Sequence, residues 1–111
     1  MKKESKIIRT WKGWTTLENA PTYEAMLINE VFPTVKKKGV SGLEKVSIST
    51  QNKGDEVEFF LVLQFTSMED VITFAGEDYI KAYIPENAQQ VLKRYDKTAD
   101  HFELKEELIL K

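Results

Sequence analysis

Histidine is the one side chain that titrates unperturbed near neutral pH, and this chain has a single one, His101. It lies in Ala99–Glu106, where alternation sets Phe102 and Leu104 against His101, Glu103 and Lys105. Two roles compete for it: a base or proton donor in a site, and a partly exposed strand histidine. The residues alone slightly favour the second. The densest unusual cluster is near the other end of the chain, where Arg9, Trp11 and Trp14 follow one another. Indoles beside a cation suit a flat, electron-rich ligand through stacking and cation–π contact. Core packing is an equal reading for Trp11 and the better one for Trp14. Tyr23, Tyr79, Tyr83 and Tyr95 add phenols that could line the same space.

The remaining polar groups carry less chemistry. One histidine and no cysteine make neither a multi-histidine nor a thiolate metal site. Glu77-Asp78 reads as a solvated turn before a cation site. Gly39-Val40-Ser41-Gly42 matches neither the P-loop nor the dinucleotide fingerprint, so no metal, flavin or other cofactor is expected. Lys36-Lys37-Lys38 falls where a helix should end and meets the negative end of its dipole. With a net charge of −2 and a pI near 5.5, nucleic acid is not the expected partner. The start, Met1-Lys2-Lys3, is followed only by Ile7-Ile8, too short an apolar run for a signal peptide. No stretch approaches a membrane span, and the expectation is a cytoplasmic protein of one domain, residues 1–111.

These side chains must be positioned by elements legible in the pattern. Asp55–Thr66 places Val57, Phe59, Leu61, Leu63 and Phe65 on one face, as a central strand over a core would. Its other face carries Phe60 and Val62 where a solvated sheet would be polar, so that face wants cover too. A second copy of the chain is the natural candidate for it. Ser5–Trp14 alternates as a first strand, and Leu43–Gln51 as a second, joined to the central one by the turn Asn52-Lys53-Gly54.

Asn19 can cap a helix with Pro21 in its first turn, and Tyr23, Leu27, Val31 and Val35 form its stripe, widened by Met26, Ile28 and Phe32. Pro33 should kink that helix and Gly39 stop it. Ser67-Met68-Glu69-Asp70 opens another, carrying Val71, Ile72, Phe74 and Ala75. Pro85 starts a further short helix, and Ala99–Glu106 is the last strand. The order is βαββαβ, whose simplest fold is α+β and ferredoxin-like: a four-stranded antiparallel sheet with both helices on one face.

This layout resembles the antibiotic biosynthesis monooxygenase-like domains of the dimeric α+β barrel superfamily. The resemblance is carried by Ile8-Arg9-Thr10-Trp11-Lys12-Gly13, by Phe74-Ala75-Gly76-Glu77-Asp78-Tyr79 and by His101-Phe102-Glu103, and it covers roughly Lys6 to Glu106. It implies a homodimer with the two sheets face to face and a pocket between sheet and helices in each subunit. It also implies oxidation of a small aromatic or quinone-like molecule by oxygen without metal or flavin. On this chain His101 and Arg9 would then be catalytic, and Trp11, Tyr23, Phe74 and Tyr79 would line the substrate site. Members that cleave haem use a tryptophan on the second helix and a histidine soon after it. Here Phe74 occupies that helix and Glu77–Leu92 lacks histidine, so haem degradation is not expected. Non-catalytic ligand binding in the same pocket, or a purely structural dimer, are the alternatives.

Overall fold

The computed structural model describes residues 5–111; the Met1-Lys2-Lys3 start lies outside them. Strands β1 (Ile7–Thr15), β2 (Leu43–Asn52), β3 (Val57–Phe65), β4 (Arg94–Tyr95) and β5 (Asp100–Glu103) form one antiparallel sheet. Its order is β2-β3-β1-β4, and β5 lies on the same edge of β1 as β4. The two strands with the strongest alternation are thus the central pair, with Trp11 opposite Leu61 and Arg9 opposite Leu63. Val57, Phe59, Leu61, Leu63 and Phe65 are all buried, while Glu58, Phe60 and Val62 are half-buried on the other face. No helix among the described residues is long and apolar enough to cross a membrane.

The helical layer is α1 (Ala20–Met26), a π-helical turn (Leu27–Val31), α2 (Phe32–Lys37), α3 (Met68–Ala75) and α4 (Glu86–Val91). The π turn is the form the expected kink takes. Pro33 has no N–H to donate, and the register slips so that the N–H of Phe32 reaches the carbonyl of Leu27. Tyr23, Met26, Leu27 and Val35 are buried as the stripe requires, but Ile28 is 53% exposed. It sits about 100° around the helix from Leu27, outside the buried arc. Asn19 occupies the cap position without capping; its amide donates instead to the carbonyl of Val91, tying α1 to α4. At α3 the expected cap forms, with the Ser67 hydroxyl accepting from the Asp70 N–H. Gly42 packs so closely on Asp70 that an added Cβ would overlap its carboxyl group, and the Gly42 carbonyl accepts from Thr66 N–H.

The expected single last strand is split. β4 pairs with Gly13 and Trp14, and β5 pairs with Ile7 to Thr10. Between them the chain leaves the sheet edge and pairs with residues 80–82. Ala82 N–H donates to the Lys97 carbonyl, Ala99 N–H to the Ile80 carbonyl, and Lys81 bridges to Thr98. This detour fixes residues 79–85 over the helix side of the sheet.

Candidate functional site

Under that strip lies a cavity of about 50 Å³, walled by Arg9 and Trp11 of β1, Leu61 and Leu63 of β3, Tyr23 of α1 and Phe74 of α3, and roofed by residues 82–85. A larger open groove of about 630 Å³ runs between α1 and the ends of β2 and β3, but Glu24 is its one ionisable lining residue. The titratable cluster converges on the smaller space. A cavity of 50 Å³ holds a few waters, while ligand pockets commonly reach ~300 Å³ or more, so an aromatic guest must lift the roof.

Arg9 is the centre of the cluster. It is 4% exposed, yet among the described residues no carboxylate lies within ion-pair distance. Its Nη1 donates to the Tyr79 carbonyl at 2.6 Å and meets His101 Nε2 at 2.9 Å, and its Nη2 donates to the Lys81 carbonyl at 3.3 Å. Its guanidinium carbon stands 5.5 Å from the centroid of the Phe74 ring. Burial lowers the Arg9 pKa from its ordinary value, though guanidinium stays charged at any pH where the protein folds.

His101 pairs directly opposite Arg9 in the β1–β5 register, which sets it on the helix side of the sheet. Phe102 consequently falls on the open face and is 55% exposed. Because Arg9 can only donate, His101 Nε2 must accept, and the ring proton resides on Nδ1. The ring of Tyr79 meets the imidazole edge-on at 5.2 Å. The cavity wall therefore includes Arg9, Trp11, Tyr23 and Phe74, while His101 and Tyr79 stand behind Arg9 and hold it. Trp11 is fixed by a bond from its indole N–H to the Asp96 carbonyl at 2.7 Å. Gly13 makes room for that indole, since a Cβ there would lie 2.6 Å from the ring. Trp14 lies on the opposite face, its ring 3.9 Å from the Arg94 guanidinium. Glu77 and Asp78 are exposed in a turn, and among the described residues no three acidic or histidine side chains cluster as metal ligands would.

Burial is the main cause that lowers the His101 pKa from its ordinary 6.5, and the charge of Arg9 is the second; Asp100 opposes them weakly. Between 6.5 and that lowered value the unfolded chain binds a proton that the folded one does not, so stability falls as pH drops through this window. Melting temperatures taken from neutral pH downward should therefore decline more steeply below about pH 6.5 in the wild type than in His101→Gln. Parallel curves would mean that protonation of His101 is not resisted by the fold.

The Arg9 acceptors on residues 79 and 81 are backbone carbonyls, which leave no side-chain signal in the sequence. The roof residues Ala82, Ile84 and Pro85 are equally silent, because only the pairing with residues 97–99 brings them over the sheet.

No protein-family model matches the sequence, and no curated protein does. The fold does match. A crystal structure of a Bacillus cereus protein provisionally assigned as an antibiotic biosynthesis monooxygenase superposes with a TM-score of 0.68. The match covers 96% of this chain and 98% of that one at 11% sequence identity. The chain thus has the antibiotic biosynthesis monooxygenase-like fold.

Proposed function

We propose that the protein is a homodimeric, cofactor-independent monooxygenase-like enzyme acting on a small aromatic or quinone-like molecule in this cavity. The observation that carries the reading is a buried cation held against a neutral imidazole at the wall of an apolar, aromatic-lined space. The overall reaction that fits needs no external reductant. An activated ring CH₂ becomes C=O with one oxygen atom of O₂, and the second leaves as water with both hydrogens. Trp11 and Phe74 would hold the ring, and the closed roof would exclude water. Arg9 would turn to the substrate oxygen, uncovering His101 Nε2 to take the proton. The Tyr23 phenol, its pKa pushed up by burial, would remain a neutral donor.

The engagement of His101 Nε2 by Arg9 favours a second reading, a non-catalytic binding protein using the same cavity. Oxygen uptake separates the two. An anthrone panel should give enzyme-dependent O₂ consumption at one O₂ per ketone formed and no hydrogen peroxide, and Arg9→Met and His101→Ala should each lose about 10²-fold or more, the usual scale of an acid–base or charge contribution. Ring compounds that bind but never raise oxygen uptake would leave the binding reading standing. The open face supports the homodimer: Phe60 and Val62 of β3 lie there beside Ile8 of β1 and Phe102 of β5. Beyond β5, Leu108, Ile109 and Leu110 are also strongly exposed.

A further inference from the structure

A guanidinium carries five N–H donors, and the three contacts made by Arg9, a cavity-wall residue, leave two of them without a hydrogen bond among the described residues. All three partners are neutral: two carbonyls and an imidazole whose protonation would place two cations side by side. Taking an ion out of water is costly unless an opposite charge meets it, and none does here among the described residues. The cavity lining also contains no carboxylate, so an incoming anion meets no like charge.

We infer that the ligand of this cavity is a flat apolar molecule bearing one anionic oxygen group, a carboxylate or phenolate, which pairs with Arg9. The inference rests on the reading of the cavity as the ligand site. The planar fork of the guanidinium matches such a group, and Trp11, Phe74, Leu61 and Leu63 supply the apolar bed for the ring. Arg9 also holds the carbonyls of residues 79 and 81, at the root of the strip that continues into the roof. An anion that draws Arg9 toward itself therefore weakens two of the bonds that hold this strip, which its pairing with residues 97–99 otherwise secures. Charge recognition and the opening that a ring requires become one event.

The test is a set of matched probes measured by calorimetry on the intact protein: 2-naphthoate against 2-naphthamide, and 4-nitrophenolate at mildly alkaline pH against 4-nitroanisole. At least one anion should bind about tenfold or more tighter than its neutral partner, the scale of a charge-assisted hydrogen bond. A preference in the first pair assigns the carboxylate, and one in the second the phenolate. Arg9→Gln should erase the preference, and Arg9→Lys, which keeps the charge without the fork, should retain part of it. If neither anion is preferred, or no probe binds the wild type, the inference falls whether or not the variants fold. Anion preference without oxygen uptake keeps this inference and ends the monooxygenase reading. Oxygen uptake on neutral rings without anion preference does the reverse.

Discussion

The double variant Phe60→Lys, Val62→Lys should be monomeric or insoluble, losing the homodimer proposed for the wild type. Both residues lie on the sheet face that no helix covers, in adjacent rows of β3, with Val62 opposite Thr10 and Phe60 opposite Lys12. Within one protomer the Lys12 ammonium stands 5.7 Å from the centroid of the Phe60 ring. Ile8 and Phe102 extend the apolar surface across β1 and β5, while Trp14, Glu58 and Arg94 make a polar end suited to an interface rim. Obligate dimers commonly bury ~2,000 Å² or more. A two-fold axis would bury each new lysine twice, as uncompensated charge in a desolvated sheet packing. Since neither side chain reaches the helix-side core, the far-ultraviolet spectrum of any soluble variant should be unchanged. Light scattering decides: a wild type that stays monomeric at high micromolar concentration, or a variant that stays dimeric, would sink the homodimer.

The parts of this fold legible in the sequence are those set by local period and local chemistry. Alternation in β3 separated Phe59 from Phe60, Pro33 announced the break in the first helix, and Ser67 with Asp70 announced the start of α3. What was not legible depends on pairings between distant segments. Ala99–Glu106 has the alternation of one strand. Nothing local says that residues 97–99 leave the sheet to bind residues 80–82, or that β4 precedes them. The face of His101 was illegible for the same reason, because a register slip of one residue exchanges the two sides of a strand. The pairing of Ile8 with Phe102 and Arg9 with His101 settles it, at the cost of leaving Phe102 outside. In the site, Arg9 and Trp11 could be singled out by type. That Arg9 lacks a carboxylate partner is a property of the whole surroundings and has no sequence signature.

Phe59→Ala should destabilise the fold by about 3–5 kcal/mol, the cost of removing a buried aromatic ring and leaving its space behind. Phe59 is wholly buried in the helix-facing row, between Val57 and Leu61, and Tyr23 meets it edge-on with centroids 4.8 Å apart. Gly13 on one neighbouring strand and Thr50 on the other present little side-chain bulk to fill the void. Domains of this size are held by only ~5–15 kcal/mol, so the loss is a large share of the whole. Each kcal/mol lowers the melting temperature of a domain near this size by about 4–8 °C. The adjacent truncation, Phe60→Ala, serves as the control. Phe60 is on the open face, so its loss should appear only through dimer formation and depend on protein concentration, whereas that of Phe59→Ala should appear at every concentration. A one-residue slip of β3 would exchange the two behaviours. Denaturant titrations of both variants at two concentrations read this directly. A Phe59→Ala loss below about 1 kcal/mol, under the usual cost of a buried ring, would mean that Phe59 is not the core side of the strand.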